Sequence, residues 1–128
     1  MRAASALAAY AATQVSTVTP SKLVVLLYER LVLDLQRGEH LVRKGDMTEA
    51  RKRLSNAHQI VLELGASLDQ SRWAGASSLA ALYSWFSSEI TRAATAGDPA
   101  RVAAVRVLVE PLRDAWVIAE RQLAEAQR

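Results

Sequence analysis

The sequence predicts an all-α protein: an antiparallel up-down four-helix bundle behind an N-terminal arm. Three observations predict it. Apolar residues recur at three- and four-residue spacing along most of the chain, the period of a helix face. Alternating β-branched runs bounded by turns, the mark of strands, do not occur. Two glycine–aspartate pairs, Gly45-Asp46 and Gly97-Asp98, interrupt the helical pattern, and links so short leave only antiparallel neighbours.

Residues 1–18 read as a flexible arm or short helix, and residues 19–128 as the bundle. Val15-Ser16-Thr17-Val18-Thr19 is polar and β-branched, a poor helix former. The first helix starts at Thr19-Pro20, because Thr can cap and Pro at the first helical position has no N–H to waste. It ends near Lys44, before Gly45, which accepts the left-handed conformation of a C-terminal stop. Asp46 caps the second helix with Glu49 three residues on, and Met47, Ala50, Leu54, Ala57, Val61, Leu64 and Leu68 form its seam. The connection over 69–76 is the least regular. The third helix carries Leu79, Leu82, Phe86, Ile90 and Ala93 and stops at Gly97. Asp98-Pro99 restarts the chain as cap and first residue, and Val102, Val105, Val109, Leu112, Trp116, Ala119, Leu123 and Ala126 repeat along the fourth helix. Pro111 lies inside it and predicts a kink near Val107.

The chain has 128 residues, enough for one domain, and 51% of them are apolar, enough for a substantial core. A net charge of +3 comes from 16 Lys+Arg against 13 Asp+Glu. Those charges are interspersed, unlike the dense basic stripe of a nucleic-acid binder. Zero cysteines exclude disulfides, thiolate metal sites and thiol catalysis. No stretch reaches the roughly 18 apolar residues of a membrane span. The alanine-rich run after Met1-Arg2 imitates a signal peptide, but its single Leu makes it weakly hydrophobic. A cytoplasmic protein without metal or cofactor is the expectation.

Catalytic patterns are weak. His40 and His58 are the two histidines, and no Glu-x-x-His pair of a di-metal bundle is present. His40-Leu41-Val42-Arg43-Lys44-Gly45 resembles the phosphorylated helix of phosphotransfer bundles, but its Lys and Gly fall one residue late, about 100° around the helix. His58 flanks the second seam and reads as a boundary residue with a hydrogen-bonding role. Arg51-Lys52-Arg53 reads as a solvated helix face. Apolar surplus says more. The first helix has too many large aliphatics for one stripe, and the fourth adds Val107, Leu108, Ala115, Val117 and Ile118 beside its seam. Trp85 adjoins Phe86, and both cannot point the same way. Such excess implies a partner, an oligomer or cover by the arm, by the mode in which a helix or peptide lies in an apolar groove.

Five segments in order resemble one family. They are Tyr10-x4-Val15-x-Thr17-x-Thr19-Pro20; Leu23-Val24-Val25-Leu26-Leu27-Tyr28-Glu29; the second-helix run from Asp46-Met47 to Ser67-Leu68-Asp69; Leu79-x2-Leu82-Tyr83-x-Trp85; and Leu112-Arg113-Asp114-Ala115-Trp116. Together they resemble FliS, the flagellar secretion chaperones that hold flagellin. Departures from the pattern are Arg30 in place of a small Gly, a short loop at Trp73-Ala74-Gly75, and Pro111. The resemblance implies a non-enzymatic cytoplasmic bundle without cofactor. Its partners would be the disordered C-terminal segment of flagellin and a component of the flagellar export apparatus, with no nucleic acid, no membrane insertion and weak self-association at most. Tyr10, Val15, Leu23, Leu27, Tyr28 and Trp85 are the expected binding or groove-capping residues. The Leu112–Trp116 motif is expected to be structural, with Trp116 on the seam and Arg113–Asp114 tethering a neighbouring helix. An adaptor bundle that oligomerises or binds another amphipathic helix is the alternative.

Overall fold

A computed structural model describes residues 19–71 and 74–127, which form four helices: α1 Pro20–Lys44, α2 Met47–Ser67, α3 Ala76–Ala96 and α4 Pro99–Ala126. Three of them begin on side-chain caps. The Thr19 hydroxyl accepts the Lys22 N–H at 3.2 Å, the Asp46 carboxylate that of Glu49 at 3.3 Å, and the Asp98 carboxylate that of Ala100 at 3.0 Å. Each satisfies a donor that the first turn leaves orphaned. Gly45 (φ 82°) and Gly97 (φ 65°) end α1 and α3 in the left-handed conformation. Beyond Gly45 the N–H groups of Gly45 and Asp46 return to Val42 and Leu41, at 3.0 and 2.9 Å, a Schellman stop. α3 starts instead at Gly75, without a side-chain cap.

Each helix packs against its neighbours in the order α1–α2–α3–α4–α1. The two interfaces of α1 are the largest and that between α3 and α4 is the smallest. The core runs through Tyr28, Leu31, Leu35, Leu54, Val61, Phe86, Ile90, Val102, Val105 and Val109, all nearly inaccessible. The α2 seam is buried from Ala50 to Leu64. The aliphatic surplus of α1 is largely absorbed, because a helix with two large interfaces needs a wide apolar face. Val25, Leu31, Val32 and Leu35 are buried, Leu23, Val24, Leu27 and Leu33 half-buried, and Leu26 exposed.

Two expectations about α4 need correction. The α4 seam is buried at Val102, Val105 and Val109 and half-buried at Leu112 and Trp116, but Ala119, Leu123 and Ala126 are exposed. Length is the reason. With 28 residues against 21 in α3, α4 outruns its antiparallel partner by about 10 Å. Arg113 does not tether a neighbouring helix; its Nε bonds the adjacent Asp114 carboxylate at 2.7 Å. As for Pro111, it is exposed and α4 remains helical through it.

Polar ties cross every interface. Asp34 of α1 is fully buried and its carboxylate accepts from Arg30 at 3.2 Å and from Arg53 of α2 at 3.4 Å. Arg53 is therefore no part of a solvated basic triplet. Glu39 of α1 takes Arg106 of α4 at 2.7 Å. Burial raises the Glu39 pKa, but hydrogen bonds from Arg106 and Arg43 outweigh it and hold the carboxyl below its ordinary range. Glu89 of α3 accepts from Arg101 of α4 at 3.0 and 3.1 Å. His58 of α2 meets the Ser87 hydroxyl of α3 at 2.7 Å, the hydrogen-bonding role the sequence suggests.

α1 and α2 are tightly packed at Gly38, where an added Cβ would lie 2.9 Å from a Leu54 methyl. Leu54 is itself fully buried and has little room to yield. Gly38→Val is expected to destabilise the fold by about 1–3 kcal/mol through overpacking, measured by urea unfolding.

Candidate docking surface

The expected binding residues separate into three groups. Tyr10 and Val15 lie outside the described residues. Leu23 and Leu27 are half-buried on α1, while Trp85 is 40% exposed on α3. Tyr28 is corrected from surface to core: it is fully buried, and its hydroxyl meets that of Tyr83 on α3 at 2.5 Å. The Trp116 ring of α4 lies over Tyr28 at 6.2 Å between centroids, an ordinary spacing for aromatic pairs. Burial pushes both phenols above their ordinary pKa, so the pair is neutral and hydrogen-bonded.

Trp85 marks the open apolar surface. Phe86 beside it is fully buried, and the two rings stand 5.9 Å apart, so the exposed indole rests on a fixed base. Trp85 precedes Glu89 by one helical turn, and Leu108 follows Arg101 by two. Since Glu89 and Arg101 pair across the α3–α4 interface, Trp85 and Leu108 both flank that seam. The short link at Gly97-Asp98 puts them at similar heights. Leu108 is 43% exposed, and Val107 and Ile118 lie on the same helix at 53% and 54%. Ala81, Ala115 and Ala119 are exposed and small, which keeps the surface shallow between Trp85 and Ile118.

Charge is missing from the α3 part of this surface. From Ala76 to Ser88 α3 carries no charged side chain. On α4, Arg106 and Glu110 face the α1 side, paired with each other and with Glu39 and Gln36, while exposed Asp114, paired with Arg113, borders Ile118 one turn away. A second groove borders α3 on its other flank, a cavity of about 410 Å³ lined in part by Leu62, Gly65, Ala66, Ala80 and Ser84. Sequence reasoning found the α4 surplus and Trp85 but missed Leu62 and this groove. The available signal was small residues facing each other, Gly65-Ala66 against Ala80 and Ser84. An apolar, small-residue strip with a tryptophan anchor can bury an amphipathic segment. Among the described residues no group of histidines and carboxylates could hold a metal ion, and no helix is long and apolar enough to cross a membrane.

Known proteins share this architecture. The family model described as flagellar protein FliS matches residues 3–123. A flagellar secretion chaperone FliS from Bacillus subtilis (strain 168) is 28% identical over 108 residues, covering 84% of this chain and 80% of the relative. A crystal structure of a flagellar chaperone from bacteria superposes with a TM-score of 0.73 at 22% identity, over 92% of this chain and 97% of that one; this likeness concerns the fold.

Tyr28→Phe is expected to cost about 1–2 kcal/mol by leaving the Tyr83 hydroxyl without its partner. Adding Tyr83→Phe should cost less than the sum of the two single changes. Because the folded phenols hold their protons more tightly than unfolded ones, stability is full below about pH 10 and falls as pH rises beyond it. Urea unfolding at pH 8 and pH 11 should show a smaller alkaline loss in the double variant than in the wild type.

Proposed function

The chain belongs to the FliS family of flagellar proteins, and we propose that it is a cytoplasmic, non-enzymatic export chaperone for flagellin. The disordered C-terminal segment of flagellin lies along the uncharged face of α3 and the adjoining stripe of α4. There it is held apart from other flagellins until it reaches the flagellar type III export apparatus. The open apolar strip from Trp85 to Leu108 and Ile118 is the observation that carries this reading.

Physically the chaperone supplies in advance the apolar contacts that flagellin otherwise makes with its own kind. Ordering the segment consumes about 2–5 kcal/mol of the gross interaction energy. Each large side chain on the strip is already half-buried, so covering it returns about 1 kcal/mol. The client must therefore engage several such residues, and a strip reaching from Trp85 to Ile118 offers them. We further propose that residues 1–18 act as a provisional cover, in which Tyr10 and Val15 occupy part of the apolar groove until flagellin displaces them. A cover lowers apparent affinity by the fraction of molecules left open and protects the free protein from self-association.

Calorimetric titration with the C-terminal segment of flagellin from the same genome should give saturable one-to-one binding with a large negative heat-capacity change. A folded protein that gives no heat at two temperatures would refute the reading and favour an adaptor bundle. Trp85→Ala and Leu108→Ala should each weaken binding about tenfold, with unchanged helicity. Deleting residues 1–18 should tighten binding or promote self-association; no change in either sinks the cover.

A further inference from the structure

A second stripe runs along the outside of α1. Leu26, Arg30, Leu33, Arg37, His40 and Lys44 follow one another at alternating four- and three-residue steps, the spacing of a coiled-coil seam. This is not the core stripe of α1, which runs through Tyr28, Leu31, Leu35 and Val42. Leu26 is 41% exposed, Leu33 is half-buried, and the four polar members are exposed. Beside the stripe a cavity of about 480 Å³ opens between α1 and α2, lined by Leu33, Gln36, Arg37, His40, Leu41 and Arg53. Past Leu41 and Arg53 it continues as a second hollow towards Lys52 and Asn56.

The charges here are unbalanced. Asp34 is buried and occupied by Arg30 and Arg53, and Glu49 is held by Lys52 at 2.9 Å. Arg37 and Lys44 have no carboxylate partner among the described residues. No member of the stripe is acidic; the exposed carboxylate nearest it, Glu29, lines the hollow between α1 and α4 with Lys22, Glu120 and Arg121. Leucines spaced for knobs and cations without anions form half of an interface, and charge complementarity defines the other half.

We propose that the outer face of α1, with the α1–α2 groove, docks an acidic amphipathic helix of a second protein, its apolar side chains on Leu26 and Leu33 and its carboxylates on Arg37 and Lys44. A second copy of this chain is a poor occupant, because a two-fold contact would set this basic stripe against itself. Nucleic acid fits less well, because leucines interrupt the cations and no aromatic stands among them for base stacking. Since α1 and α3 are diagonal in the helix ring, this face lies opposite the α3–α4 seam. On the reading that flagellin occupies that seam, the two partners can be bound together, and the bundle bridges them.

The probe is a fluorescein-labelled four-heptad peptide with leucine at the seam positions and glutamate flanking them, titrated by anisotropy into the full chain. Saturable one-to-one binding is expected. It should fall by about tenfold in Arg37→Glu/Lys44→Glu, with unchanged helicity at the assay temperature, and remain intact in Trp85→Ala. Absence of saturation, equal binding by the charge-reversed variant, or equally tight binding of a short DNA duplex overturns the proposal. So does loss of the peptide in Trp85→Ala, which would place it on the other face. None of these readouts uses flagellin, so a failure of the flagellin reading leaves the result interpretable.

Discussion

A pair of buried hydroxyls sets the character of this bundle. Tyr28 and Tyr83 meet across the core from diagonally placed helices, and Trp116 covers one of them from α4. Both phenols are buried, and the hydrogen bond between them satisfies a polar group on each side. Two tyrosines, Phe86 and a tryptophan gather in one part of the core, whereas Ala50, Ala57, Ala93, Val102 and Val105 are small residues among the aliphatics of the rest. Where the rings sit, the surrounding Leu27, Leu79, Leu82 and Leu112 are only half-buried. Towards the glycine–aspartate links, small side chains let the helices close tightly, as Gly38 does against Leu54.

Packing is shared unequally as a result. α1 gives its wide apolar face to α2 and α4, and its ion pairs go with it: Asp34 to Arg53 and Glu39 to Arg106. The α3–α4 interface is left the smallest, joined by Glu89 and Arg101 at one end. Beyond that pair, α3 turns outward a run without charge. An ordinary surface helix would carry Lys or Glu there. The thin seam and the missing charges are two aspects of one arrangement, in which the bundle is stabilised on one side and left available on the other.

Most of the fold was legible because it is encoded locally. Thr19-Pro20, Gly45-Asp46 and Gly97-Asp98-Pro99 each announce a helix boundary by side-chain chemistry alone, and the observed boundaries fall there. The α2 seam follows from spacing. What could not be read depends on relative length and on partners distant in sequence. The exposed end of the α4 seam follows from α3 being shorter, a comparison no periodicity contains. Tyr28 was expected at the binding surface, and the residue that receives it in the core, Tyr83, comes 55 residues later. Arg53 looked solvated for the same reason: Asp34 is on another helix. Trp85 was legible because Phe86 beside it had the stronger claim to the interior.

The two tight links carry a kinetic consequence. α1 with α2, and α3 with α4, are each joined through a left-handed glycine and an aspartate cap, so each pair can close as a hairpin with little loop entropy to lose. Contacts within these hairpins are near in sequence, the regime in which helical proteins fold in microseconds to milliseconds. The longer connection between Leu68 and Ala76 joins the two hairpins, and the α1–α4 contact closes the ring last. A chain assembled in this order can re-form quickly after a disturbance. Its most persistent half would be the α1–α2 hairpin, where the buried carboxylate and the close glycine contact both reside.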